Sequence, residues 1–102
     1  MAGYVFTAQA DNELDGIIEY TRRQWGDAQA RRYLTKMRLC LDRIADERGR
    51  YRIETGFSRP VRVLRCQHHY IFCLPRDGGP ALILAILHER MDLLTRITEW
   101  LK

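Results

Sequence analysis

The sequence predicts an α+β fold: an N-terminal strand, then an α-helical hairpin packed on a small antiparallel sheet, in the order β-α-α-β-β-β-α. Three observations carry that expectation. Two segments with apolar residues at helical spacing meet at Trp25-Gly26-Asp27. Three short apolar runs of strand character follow, and the last two are separated by Pro75-Arg76-Asp77-Gly78-Gly79-Pro80, a strong turn signal. A length of 102 residues suits a single domain spanning 1–102 and leaves no room for a second core.

The elements follow in order. Residues 3 to 9 read as a short strand around Tyr4, Val5 and Phe6. A helix of about four turns comes next, with Asp11 or Asn12 as its expected cap and Asp11, Glu13, Asp15 and Glu19 placed where the helix dipole favours acids. Leu14, Ile17, Ile18, Thr21 and Trp25 define its expected buried face. Gly26 ends that helix and Asp27 is the expected cap of the next, whose stripe is Ala30, Tyr33, Leu34, Met37, Leu41, Ile44 and Ala45. A polar segment from Gly49 to Pro60 breaks the pattern, and strands are expected over 61–66, 69–74 and 81–87. The near-continuous apolarity of the last two suits central strands covered on at least one face and partly on both. A final helix over about 92–101 would set Leu93, Leu94, Ile97, Trp100 and Leu101 on one side.

Composition narrows the functional classes. Lys and Arg number 17 against 13 Asp and Glu, a formal charge of +4, and all the basic residues except Lys36 and Lys102 are Arg. Four net charges do not diagnose nucleic-acid binding, whereas Arg suits bidentate recognition of carboxylates and phosphates. No apolar run is long enough to span a membrane, and the N-terminus lacks the layout of a signal peptide, so a cytoplasmic protein without membrane partners is expected. The three cysteines, at 40, 66 and 73, show no close pair, which suits a reducing compartment and small buried side chains rather than a disulfide or zinc framework.

Candidate chemistry is sparse. His68 and His69 are adjacent in a strand and point to opposite faces, so neither a metal site nor a cofactor is expected. No Ser-His-Asp or Cys-His signature and no phosphate-binding glycine loop is present. RNA cleavage through the 2′-hydroxyl needs a base, cations for the phosphorane oxygens and an acid for the leaving group. Arg65, His69 and Arg90 are the fallback set for those roles, but the C-terminal part has no Tyr and neither Lys falls on the sheet. The stretch from 48 to 65 carries Arg48, Arg50, Arg52, Arg59, Arg62 and Arg65 against Glu54. Such a face can hold RNA phosphates, an acidic protein segment or only water. Trp25, Tyr33, Met37 and Trp100 are candidate anchors for a partner segment, although residues of these types more often belong to a core.

At Trp25-Gly26-Asp27-Ala28-Gln29-Ala30, continuing to Tyr33, at His68-His69-Tyr70-Ile71-Phe72, and at Ile86-Leu87-His88-Glu89-Arg90-Met91-Asp92, the chain resembles the ParE branch of the RelE/ParE superfamily of toxin–antitoxin modules. The likeness covers nearly the whole chain, and the first and last of these motifs are fairly specific when found together. The resemblance implies a type II toxin with no catalytic residues of its own, acting on DNA gyrase to block replication. It also implies neutralisation by a ParD-like antitoxin with an acidic helical C-terminal segment, DNA being contacted only through that antitoxin. His88, Arg90, Met91, Asp92 and Arg96 become the expected target surface, and Trp25, Tyr33, Met37, Arg59, Arg62, Arg65 and Trp100 the expected antitoxin surface. The alternatives are a RelE-like ribosome-dependent mRNA interferase and an inactive relic that still binds antitoxin. The chain departs from the family pattern at Ala85, where many members carry Arg, and at Cys73, where many carry Tyr.

Overall fold

A computed structural model describes residues 3–47, 51–56 and 58–89. Its elements are β1 (Tyr4–Phe6), α1 (Ala8–Trp25), α2 (Asp27–Ala45), β2 (Arg52–Glu54), β3 (Val61–Cys66), β4 (His69–Leu74) and β5 (Ala81–His88). The strands form one sheet in the order β1-β5-β4-β3-β2. The meander β2 to β5 is antiparallel, and β1 adds to β5 in parallel, aligning Tyr4 with Ala81 and Phe6 with Ile83. This is the expected α+β architecture, extended by the short β2 edge strand and by the parallel pairing of β1. The expected terminal helix over 92–101 lies outside the described residues.

Thr7 joins the first strand to the first helix. Its N–H donates to the Ile83 carbonyl at 3.0 Å, its Oγ1 accepts from the Ala10 N–H at 3.0 Å, and the same hydroxyl donates to the Leu84 carbonyl at 3.0 Å. The helix therefore starts at Ala8, capped by Thr7 and not by Asp11 or Asn12, which lie inside it. Gly26 is the whole connection between the helices. It sits at φ +88°, in the region glycine enters without a Cβ penalty, and its N–H closes α1 on the Arg22 carbonyl at 2.8 Å. Gly26 is also the N-cap of α2, so Asp27 is its first residue and supplies charge to the first turn rather than a side-chain cap.

The core lies between the hairpin and one sheet face, where Leu14, Met37, Leu41 and Ile44 meet Leu64, Ile71, Ile83 and Ile86. Met37 is 0% exposed, so it anchors this core and is removed from the surface a partner can touch. A second buried cluster, Val61, Val63, Phe72, Ala85 and Leu87, holds no residue of either helix. The central strands are thus apolar on both sides, as their sequence suggested.

Two features correct expectations about the polar and sulfur side chains. Cys40 on α2 and Cys66 on β3 form a disulfide across 26 residues of sequence, with their Cα atoms 6.2 Å apart, while Cys73 is a buried free thiol. The absence of a close cysteine pair in the sequence hid a pairing made by packing. Arg62 is only 7% exposed and turns inward. Its Nη1 donates to the Ile44 carbonyl at 2.9 Å and reaches the Ala45 carbonyl at 3.5 Å, and its Nη2 lies 2.6 Å from Glu47 Oε1. It satisfies carbonyls at the C-terminus of α2, where the dipole favours a cation, and is not part of a docking face.

Candidate docking groove

A groove of ≈960 Å³ opens between the hairpin and the end of the sheet carrying the β3–β4 turn. Helical spacing builds its first wall. Glu13, Ile17 and Tyr20 recur at three- and four-residue intervals along one side of α1, and Trp25 stands at the end of that helix. Trp25 is 71% exposed, which corrects its expected place on the buried face, and Tyr20, also exposed, carries no sequence signal that would have singled it out. The opening turns of α2 add Gln29, Arg32 and Tyr33, and the sheet adds His68, His69, Ile86 and His88.

Strand geometry places these sheet residues. Gln67 and His68 form the two-residue turn after β3, with Gln67 at φ +57°, so His68 sits in a turn and only His69 begins β4. His69 pairs directly with Cys66 on one side and with His88 on the other. The rings of His69 and His88 meet edge to face, with centroids 5.1 Å apart. On the helix side, Tyr33 Oη hydrogen-bonds His69 Nδ1.

Electrostatics fix the roles in that bond. Burial pushes the Tyr33 phenol up to about 12, so it keeps its proton and donates. Burial, helped by the neighbouring His88 and His68, pulls His69 down to about 4, so the ring is neutral at physiological pH. With Nδ1 accepting from Tyr33, the His69 proton resides on Nε2. Beside this row, Glu89 accepts from His68 Nδ1 at 3.0 Å and pairs with Arg65 Nη2 at 2.6 Å. The His68 bond and then the Arg65 charge hold the Glu89 carboxyl below its usual range. On the far wall, Glu13 Oε1 accepts the Ile86 backbone N–H at 3.0 Å, satisfying a donor on a stretch of β5 that lies beyond the register of β1.

The expected site residues are therefore sorted by the fold. Trp25, Tyr33, His69 and His88 converge on the groove. Arg65 lies beside it through Glu89, while exposed Arg59 reaches the Pro75 carbonyl at 3.4 Å, in the loop after β4. The arginine run does not make one continuous face, because Arg62 points inward and Arg52 pairs with Glu54 at 2.8 Å. Arg90, Met91, Asp92, Arg96 and Trp100, like Arg48 and Arg50, lie outside the described residues.

The arrangement favours binding over proton transfer. A base must offer a free lone pair, and the His69 acceptor nitrogen is occupied by Tyr33. Arg65 pairs with Tyr70 and His69 with Cys66 in the β3–β4 register, so these two fallback residues project from opposite faces of the sheet. Among the described residues, no group of three or more metal-ligating side chains is disposed to hold an ion, and no helix is long and apolar enough to cross a membrane.

Comparison with known proteins places the chain in a family. Residues 4–93 match the family model described as the ParE toxin of the parDE type II toxin–antitoxin system. Toxin ParE of Escherichia coli is 51% identical over 102 residues, covering 100% of this chain and 99% of that protein. Toxin ParE1 of Mycobacterium tuberculosis is 29% identical over 90 residues, 88% of this chain and 92% of that one. Toxin ParE1 of Caulobacter vibrioides is 26% identical over 92 residues, 90% and 94% of the two chains. With a match across nearly its whole length and a half-identical relative, the chain belongs to the ParE family of toxins of type II toxin–antitoxin systems.

Proposed function

We propose that this toxin acts by binding DNA gyrase and stalling replication, not by catalysis, and that a ParD-like antitoxin neutralises it by laying an amphipathic, acidic helical segment into the groove. The observation that carries the reading is the groove itself: exposed Trp25 and Tyr20 face a row of Tyr33, His69 and His88 in which the Tyr33 proton is already committed to His69. Apolar anchors opposite oriented polar groups suit a docked helix, which presents one apolar stripe and a polar flank. Arg32 on α2 puts a cation in the groove wall, which suits an acidic partner. The fallback nuclease set has its described members split across the sheet, which supports target binding over RNA cleavage.

The gyrase-contacting surface in this proposal begins at His88 and continues into Arg90, Met91, Asp92 and Arg96. Co-expression tests both halves. Induced alone, the toxin is expected to trigger a DNA-damage response and halt replication, and the antitoxin is expected to reverse both effects. Arrest of protein synthesis with no damage response would overturn the gyrase reading. Antitoxin rescue unchanged in Trp25→Ala and Tyr20→Ala variants would overturn the groove as the docking site.

A further inference from the structure

The disulfide lies one layer from the groove and joins the same two walls. Tyr33 and Cys40 are seven residues apart on α2, two turns along one helix face. Their partners, His69 and Cys66, are direct cross-strand neighbours. The helix is therefore tied to the β3–β4 hairpin twice, at Cys40–Cys66 by a covalent bond and at Tyr33–His69 by a hydrogen bond. We propose that Cys40 and Cys66 form a reversible thiol–disulfide staple that sets the rigidity of the groove, so that an oxidising environment locks the α2 wall onto the sheet and a reducing one releases it.

Accessibility and hydrogen bonding fit both states. Cys40 is partly exposed and Cys66 is buried, so Cys40 meets the oxidant and Cys66 resolves. The oxidant is a low-molecular-weight disulfide of the glutathione class. The Cys40 thiolate attacks one of its sulfurs, forming a mixed disulfide and expelling one thiolate. The Cys66 thiolate then attacks Cys40 Sγ, forming the Cys40–Cys66 bond and expelling the second thiolate. The two protons lost by the cysteines end on the two released thiols, and the small disulfide takes up the two electrons. In the disulfide-bonded structure Cys66 Sγ already lies 3.8 Å from the Lys36 carbonyl, so the thiol that reduction creates has an acceptor at hand. Cys73 does not compete, because it is wholly buried and its thiol is pushed up to about 11. Closing a 26-residue loop restricts the unfolded and partly open chain. A stapled groove is thus preorganised for any partner, whereas a released one must be ordered on docking.

The full-length protein is equilibrated in buffers of reduced and oxidised glutathione spanning both extremes. Alkylation with intact-mass detection reads the disulfide, and amide hydrogen exchange at 33–41 and 69–71 reads the groove walls. The expected result is a reversible titration of one intramolecular disulfide. Exchange at those amides slows about 400-fold in the oxidised form, the size expected for closing such a loop. Cys40→Ser is expected to show the fast exchange in every buffer, and Cys73→Ala to titrate like the parent. Because Cys66 is buried and its replacement risks misfolding, Cys40→Ser and the reduced parent carry the comparison. Complete alkylation of Cys40 and Cys66 in the most oxidising buffer would overturn the proposal. Disulfide formation with unchanged exchange at the groove amides would overturn it equally.

Discussion

Replacing Arg62 with alanine is expected to destabilise the toxin by about 3 kcal/mol while leaving antitoxin affinity unchanged, and the size follows from what the guanidinium touches. Its bond to the Ile44 carbonyl, at 2.9 Å, is buried, and its loss strands an acceptor at the end of α2 at a cost of about 1–2 kcal/mol. Removing a cation from a partly buried helix C-terminus adds roughly 1 kcal/mol. The stack on Tyr51, with the guanidinium carbon 5.5 Å from the ring centroid, adds about 0.5 kcal/mol. The ion pair with Glu47 adds little, because that carboxylate is largely exposed. A loss of that size lowers the melting temperature of a domain of this length by roughly 12 °C or more. Calorimetry and urea titration read it, with Arg62→Lys intermediate and Glu47→Ala close to the parent. A variant within about 0.5 kcal/mol of the parent, the range of ordinary surface substitutions, would show that Arg62 does not hold the helix end. If that variant also lost antitoxin affinity, Arg62 would return to the docking face.

Other parts of the structure make further predictions. Thr7→Ala removes both the cap of α1 and the bond to the Leu84 carbonyl, and is expected to cost about 2 kcal/mol by denaturant titration, with Thr7→Ser recovering most of it. Trp25→Ala is expected to leave stability within about 0.5 kcal/mol, because the side chain is solvated in the free toxin, and to weaken antitoxin binding at least about tenfold by calorimetric titration, as its proposed role as an anchor requires. His69 titrates near 4 in the folded protein and near 6.5 when unfolded, so the unfolded chain binds more protons between those values. Stability is therefore full above about pH 6.5, and about 2 kcal/mol of it is expected to be lost by pH 5. Urea titrations at pH 7.5 and pH 5 measure this, and His69→Gln should flatten the difference.

The helical hairpin was legible because two 3.6-residue periods met at a single glycine, and helix spacing needs only local sequence. Trp25 kept that period but is the last residue of its helix, where the chain turns, so periodicity placed it inside while its position leaves it in solvent. The cap was missed because Ala8, Gln9 and Ala10 show no apolar stripe, and the acids further along looked like a start. In β3, Arg62 lies on the face opposite Val61 and Val63. A one-sided sheet would have left that residue in water, but β3 is covered on both sides, so the guanidinium turned to polar groups at the end of α2, the Ile44 and Ala45 carbonyls and the Glu47 carboxylate. The pairing of β1 with β5 and the Cys40–Cys66 bond join parts of the chain that no local spacing relates. Of the groove, the sequence supplied Trp25, Tyr33, His69 and His88, and their convergence required the sheet register. Tyr20 and Glu13 carry no mark in one sequence that separates them from other exposed helix positions.

The central claim is that this toxin disables gyrase by binding it and cuts no RNA. Purified toxin added to parallel reactions, gyrase supercoiling of relaxed plasmid and translating ribosomes on a defined message, tests that claim most directly. Inhibited supercoiling with the message intact is the predicted result; full supercoiling activity with message cleaved on the ribosome would contradict it.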